Sequence, residues 1–112
     1  MLDEVPRPES ACPMEDFEWD KNKNRANVEK HGIDFGDAIF IFAASPVEVV
    51  DDRFEYGEER IIAVGEVDNR VIVVVYTMRG DVCRIISARK ANRDERTAYY
   101  TALAARGPRQ QN

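Results

Sequence analysis

The segment RIISARKANRDE, residues 84–95, carries four basic side chains around a short apolar run, in a chain whose net charge is −5. A guanidinium stays charged and grips two oxygens of one phosphate, so Arg84 and Arg89 suit an anionic ligand. Lys90 stands just before Asn92, a typical helix N-cap residue, and the free N–H groups at a helix start also favour anions. The segment therefore predicts a phosphate-binding site where a strand ends and a helix begins.

Two further arginines are predicted to lie near this segment. Arg60 begins a predicted strand, and Arg79 lies in the turn before the strand that carries Arg84. Cations from neighbouring strands are able to surround one phosphate. The alternative is that each arginine pairs with a carboxylate of the chain, such as Glu58 or Glu59, and has only a structural role.

Acid–base chemistry needs one side chain that donates a proton and another that accepts one. The only histidine, His31, ends a predicted helix, where the negative helix end favours an imidazolium and suits a general acid. The alternative for His31 is a structural role, either capping helix carbonyls or packing under Trp19. The other candidates for proton transfer are Glu58, Glu59 and Tyr76.

Metal and cofactor binding are not predicted. The acidic pairs at 51–52 and 58–59 consist of adjacent residues, which point to opposite faces of a strand, and no other ligand spacing accompanies them. The two cysteines, Cys12 and Cys83, lack the C-x-x-C spacing of redox or zinc sites. Free thiols are expected.

The first half of the chain predicts a short strand and two helices. FEWD alternates apolar and charged residues as a strand does, and Asp20 then caps a very polar helix that ends before Gly32. Its inward side is predicted to include Asn24, Val28 and His31, with Ala26 or Asn27 beside them. A second, clearly amphipathic helix follows, with apolar residues at i, i+3, i+4 and i+7 from Phe35 to Phe42 and with Asp34 as its cap.

The second half predicts strands and one last helix. A strand near SPVEVVDD precedes a meander of RIIAVGEV, RVIVVVYT and DVCRIISAR, which turns at 68–69 and at 79–80. The middle strand is apolar throughout and should lie centrally in the sheet. Asn92 caps a helix in which Ala98, Tyr99, Ala102 and Leu103 form the buried stripe, while Tyr100 is able to reach the surface.

The predicted fold class is therefore α+β, in the order β-α-α-β-β-β-β-α, with helices packed on an antiparallel sheet. Strict strand alternation puts Arg84 and Arg89 on opposite faces of that sheet, so they join at one phosphate only if the strand twists or bulges.

Charge is divided unevenly along the chain. Residues 1–78 hold 8 Lys and Arg against 18 Asp and Glu, whereas residues 79–112 hold 8 against 3. This asymmetry predicts a local basic surface for a polyanion. The longest apolar run is too short to span a membrane, and the first residues lack a signal-peptide pattern, so a cytoplasmic location is expected.

Several motifs together resemble a known family. The segments FEWDKNKNRANVEKHGIDFGDA, DDRFEYGEER and VVVYTMRGDVCRIISARKANRDERTAYY are similar, in order and spacing, to the BrnT toxins of bacterial type II toxin–antitoxin systems. The similarity covers residues from about 16 to 101. The domain boundaries that follow are a flexible tail at 1–14, one toxin domain at 15–106 and a second tail at 107–112.

The resemblance implies a RelE-like fold and an endoribonuclease that cuts RNA without a metal ion and inhibits growth. It also implies neutralisation by a BrnA-like antitoxin, a ribbon-helix-helix protein, with operator DNA bound only through that partner in a hetero-oligomer. The residues expected to serve catalysis are Arg84, Arg89, His31, Arg60, Glu59 and Tyr76, with Lys90 and Arg79 binding phosphate. The alternative function is a non-catalytic module that acts as co-repressor with the antitoxin.

Overall fold

The computed structural model describes residues 16–51 and 57–106. The predicted tails at 1–14 and 107–112 lie outside the described residues, as does Cys12, which is predicted to be a free thiol. In chain order the elements are β1 (Phe17–Glu18), α1 (Lys21–His31), α2 (Phe35–Ala38), a 3₁₀ helix (Ile39–Ala44), β2 (Val47–Asp51), β3 (Arg60–Val67), β4 (Arg70–Arg79), β5 (Val82–Lys90) and α3 (Arg93–Arg106). The predicted α+β order is confirmed.

Both ends of α1 are fixed by the predicted capping residues. The Asp20 carboxylate accepts hydrogen bonds from the N–H groups of Asn22 at 2.8 Å and Lys23 at 3.0 Å. These two bonds, that from Lys23 first, lower the pKa of Asp20. At the other end Gly32 has φ 72°, the left-handed conformation that glycine adopts without a steric penalty. Both predicted caps are confirmed.

The buried residue of α1 is Asn27, whereas the predicted Val28 is 40% exposed. The Asn27 amide donates to the carbonyl oxygens of Ile33 at 2.9 Å and Ala88 at 2.8 Å, and its oxygen accepts from the Ala88 N–H at 3.2 Å. The inward placement of Val28 is therefore wrong. A polar side chain is buried instead because it satisfies backbone groups of β5 that β1 is too short to reach.

The second predicted helix begins as expected but tightens after one turn. Asp34 accepts from the Gly36 N–H at 2.7 Å, and α2 then gives way to the 3₁₀ helix within a run of β-branched and aromatic residues, which favour an α-helix only weakly. The 3₁₀ helix sets Ile41 against β3 at Gly65, where an added Cβ would lie 2.7 Å from the Ile41 Cβ. Glycine permits this close packing.

Five strands form one sheet in the order β1-β5-β4-β3-β2, with β4 in the centre as predicted. The meander of β3, β4 and β5 is antiparallel, whereas β1 runs parallel to β5, so the complete sheet is mixed. Asp68 and Asn69 adopt φ of 53° and 64° in the first turn, and Gly80 adopts 63° in the second. Both predicted turns are confirmed.

Each face of the sheet has its own apolar cluster. The face covered by α2 and the 3₁₀ helix, called here the core face, includes Phe35, Ile41, Val74, Tyr76 and Ile85. The opposite face, called here the α3 face, packs Val71 and Val73 against Ala91 and Tyr99. Of the predicted stripe of α3, Tyr99 is buried and Ala98 is exposed, so α3 covers only part of this face.

Candidate functional site

A bulge in β5 decides which way its arginines point. Tyr76 of β4 pairs with Ile85, but the next residue back, Val75, pairs with Ser87, which leaves Ile86 as an extra residue. Alternation restarts after Ile86. Strict alternation would separate Arg84 from Arg89, and the bulge instead brings both to the α3 face, together with Ser87.

Arg60 and Arg84 belong to one row across this face. The strand register pairs Asp51 with Arg60, Thr77 with Arg84, and Arg84 with Glu18. Arg60 precedes Ile61, which pairs with Tyr76, so Arg60 is level with Thr77. Neighbouring strands are about 4.8 Å apart, so the backbones at Arg60 and Arg84 are about 10 Å apart, with Thr77 between them.

Arg84 is held by a carboxylate from the adjacent edge strand. Its Nη1 donates to Glu18 Oε2 at 3.0 Å, and the two side chains are 28% and 40% exposed. Only one guanidinium nitrogen takes part in this contact. A guanidinium carries five N–H donors, so this contact leaves Arg84 with donors for an anion that binds beside Glu18.

Arg89 forms more hydrogen bonds than Arg84. Its Nη1 and Nη2 donate to Glu95 Oε1 and Oε2 at 2.8 Å and 2.7 Å, and Nη1 also lies 3.2 Å from the Lys90 carbonyl oxygen. The hydrogen bonds from Arg89 are the main cause that lowers the pKa of Glu95 from 4.5 to about 2. Asn92, the predicted cap of α3, also forms a capping box with Glu95, with both bonds at 2.8 Å.

The other predicted cations differ in their surroundings. Arg79 lies on the α3 face at the far end of β4 and pairs weakly with Glu58 at 3.5 Å. Lys90 is exposed at the end of β5 and lines a hollow together with Arg70 and Arg96. Lys90 is therefore near the start of α3, whereas Arg79 is near the opposite end of the sheet.

The predicted proton-transfer residues are not brought together. Tyr76 lies on the core face with no exposure, and its hydroxyl donates to Glu48 Oε2 at 2.7 Å. His31 is the half-buried last residue of α1, which packs along the edge of β5. Glu59 is exposed directly before Arg60, and its carbonyl oxygen accepts from the Thr77 hydroxyl at 2.6 Å. Glu59 alone adjoins the arginine row.

Sequence patterns missed two members of this row. Thr77 is 1% exposed and anchors the segment before β3 through the Glu59 carbonyl. Glu18 meets Arg84 although 66 positions separate them. No local spacing signals such contacts, since they depend on which strands become neighbours.

The described residues give no sign of a metal site or a membrane span. Within 16–51 and 57–106, no three side chains of His, Cys, Asp or Glu gather closely enough to hold a metal ion. None of the helices in these ranges is long and apolar enough to cross a membrane.

Several arginines of this α+β domain thus lie on one partly open face of its sheet, where clustered cations attract polyanions. The family model of the ribonuclease toxin BrnT, of type II toxin–antitoxin systems, matches residues 19–95, and the chain belongs to this family. No curated protein matches the chain. The predicted family is confirmed, and so is its general activity, that of a ribonuclease toxin.

Proposed function

We propose that the chain is a metal-independent endoribonuclease, in which a ribose 2′-hydroxyl attacks the adjacent phosphate held between Arg60 and Arg84. In this step the O2′–P bond forms, the P–O5′ bond breaks, and the products end in a 2′,3′-cyclic phosphate and a 5′-hydroxyl. The observation that carries the proposal is the row of Arg60, Thr77 and Arg84 across the α3 face.

Two arginines suit the transition state because charge accumulates on the phosphate oxygens as the fifth P–O bond forms. Guanidinium groups that are already oriented stabilise this charge without reorganising. Arg84 is oriented by Glu18, and Arg60 lies opposite Asp51 on β2. Arg89, whose two terminal nitrogens bind Glu95, is assigned a secondary role in positioning.

One of the residues predicted for proton transfer is assigned a role in the reaction. Glu59 adjoins the arginine row, is exposed and is a suitable acceptor for the 2′-hydroxyl proton. His31, at the far end of α1 from the row, is not assigned to the leaving O5′. Tyr76 is left out of the reaction because it is buried on the core face with its hydroxyl bound to Glu48.

The test measures RNA cleavage by the purified chain in EDTA, with the products analysed for 2′,3′-cyclic phosphate. Arg84→Ala should lower kcat by about 10²- to 10³-fold, the usual cost of losing one donor to a transition-state oxyanion. Arg25→Ala is the matched control, since Arg25 is an exposed cation on α1. Circular dichroism checks that both variants fold.

Three outcomes would overturn the mechanism. The first is cleavage that EDTA abolishes, and the second is equal cleavage of a substrate that lacks the 2′-hydroxyl. The third is an Arg84→Ala variant that matches Arg25→Ala in rate. A pH–rate profile of Glu59→Gln then tests the base, because the variant should lose the acidic limb of the wild-type profile.

The partner is proposed to be a BrnA-like ribbon-helix-helix antitoxin that binds operator DNA and covers the α3 face in a hetero-oligomer. An apolar groove of about 210 Å³ beside the arginine row supports this, lined by Val47, Val49, Ile62, Val64, Val73, Glu95, Ala98 and Tyr99. Aliphatic side chains suit a protein partner better than RNA, which is bound through cations and aromatic rings. An antitoxin segment in this groove would also cover the arginines.

The alternative function, a non-catalytic co-repressor module, draws support from one observation. Arg84 and Arg89 both pair with carboxylates of the chain, as they would in a purely structural role. The same EDTA assay separates the two functions, because a co-repressor module leaves RNA intact at every protein concentration while it still binds the antitoxin.

A further inference from the structure

A second basic site lies away from the arginine row. The turn between β3 and β4 and the start of α3 enclose a hollow of about 230 Å³. Arg70, Lys90 and Arg96 line it, together with Asn69 and Tyr100, and no carboxylate belongs to its lining. The lining therefore combines three cations with one aromatic ring.

These three cations differ from Arg84 and Arg89 in their ion pairing within the described residues. Within the described part of the chain, Arg70, Lys90 and Arg96 form no ion pair, whereas Arg84 and Arg89 each pair with a glutamate. The Arg96 Nη1 donates to the Ala91 carbonyl oxygen at 3.1 Å, which holds the guanidinium over the start of α3. Among the residues that the structure describes, the three cations of the hollow thus have no carboxylate partner, and Arg96 is already oriented.

Tyr100 supplies an exposed ring beside this charge. It is 48% exposed, and its ring packs against that of the buried Tyr99 with centroids 5.2 Å apart at 63°. A braced aromatic ring next to cations is the combination by which proteins bind single-stranded RNA, since the bases stack and the phosphates pair.

The hollow is distinct from the proposed cleavage site. Val71 lines the hollow and Thr77 lies in the arginine row, six residues further along β4. At about 3.3 Å per residue the two positions are about 20 Å apart. An RNA strand that follows β4 and β5 would reach the hollow only several nucleotides away from the scissile phosphate.

We propose that this hollow is a second RNA subsite, which holds a phosphate between Arg70, Lys90 and Arg96 and stacks a base on Tyr100. The subsite binds single-stranded RNA remote from the cleaved bond, and so favours long substrates over short ones. RNA as the ligand rests on the proposed function, while the site itself rests on the charge and the ring.

The test measures binding of a single-stranded 2′-O-methyl oligoribonucleotide, which the proposed mechanism is unable to cleave. Arg70→Gln and Tyr100→Leu should each weaken binding severalfold, and Arg70→Gln should lower the salt slope of log K by about 0.7. Arg93→Gln is the matched control, because Arg93 is exposed in the first turn of α3 and does not line the hollow. With cleavable RNA, Arg70→Gln should raise KM for a long strand and leave kcat for a dinucleotide unchanged.

The inference is overturned if Arg70→Gln and Arg93→Gln bind the oligonucleotide equally, even where wild-type chain cleaves RNA. It is also overturned if Arg70→Gln weakens only antitoxin binding, which would make the hollow a protein-docking site. Conversely, the wild-type chain could fail to cleave RNA and still bind the oligonucleotide through Arg70 and Tyr100. In that case the subsite stands and the proposed function is wrong.

Discussion

At the scale of the residue, internal carboxylates decide which arginine is ready to bind a phosphate. Glu18 takes one nitrogen of Arg84, and Glu95 takes both terminal nitrogens of Arg89. An incoming phosphate shares Arg84 with its glutamate, but it would have to displace Glu95 from Arg89. Arg84 and Arg89, both predicted from the sequence to bind a phosphate, therefore differ in their surroundings in the fold.

The Arg89–Glu95 pair also predicts how acid affects stability. Because the folded pKa of Glu95 is about 2 against an ordinary 4.5, its ionised form stabilises the fold above pH 4.5. That contribution is lost as the pH falls from 4.5 toward 2. Glu95→Gln should thus lower the free energy of unfolding by about 1 kcal/mol at pH 7, the upper range for a partly exposed pair, and by less at pH 3.

Urea denaturation at both pH values measures this difference. Asp94→Asn is the control, since Asp94 is an exposed acid in the same helical turn. A loss in Glu95→Gln that is equal at pH 7 and pH 3 would contradict the role assigned to the ion pair.

At the scale of the element, two irregular features determine the surroundings of β5: a bulge and a side chain bound to its edge. The bulge at Ile86 turns Arg89 to the α3 face, and the Asn27 side chain binds the backbone of Ala88 from α1. A short β1 leaves part of the β5 edge uncovered, and α1 supplies the missing hydrogen bonds. Helix α1 is therefore attached by a polar side chain, since its sequence offers little apolar surface.

Asn27→Ala should lower the free energy of unfolding by about 3 kcal/mol, because buried backbone groups of Ala88 and Ile33 lose their partners. The control is Asn22→Ala, an exposed change on the same helix that improves helix propensity. Chemical denaturation measures the loss of unfolding free energy. Of all amides, that of Ala88 should show the largest increase in hydrogen-exchange rate. Equal stability of the two variants would show that Asn27 does not attach α1.

At the scale of the whole molecule, opposite surfaces of β2 offer a matched test of antitoxin binding. Val49 and Val50 are adjacent and almost equally exposed, at 57% and 55%. Val49 lines the apolar groove on the α3 face, and Val50, paired with the buried Ile61, points to the other side. The two positions thus differ chiefly in the surface that they occupy.

Val49→Asp should weaken binding of the proposed BrnA-like antitoxin by about tenfold, which corresponds to 1.4 kcal/mol. Val50→Asp should leave that affinity within about twofold, since surface changes away from a contact are nearly neutral. Calorimetric titration measures both. Equal affinities would exclude the groove as the antitoxin surface, and a change in self-association would instead indicate a second copy of the chain.

The sequence by itself determined the element order, the caps of α1, the hairpin turns and the central position of β4. These follow from local causes: a capping carboxylate, a residue that tolerates positive φ, an apolar run. It also located the cations at 84–90, because charge is countable without a fold. Family membership was equally readable, since the motifs that carry it are continuous segments.

Only the tertiary structure decided which cations lie close together. The bulge at Ile86, the row that joins Arg60 to Arg84, and the Glu18 contact all depend on strand register, which links residues far apart in the chain. The clustered charge of the hollow is likewise a matter of proximity. Electrostatic energy depends on the distance between charges in space, and that distance is set by packing rather than by sequence spacing.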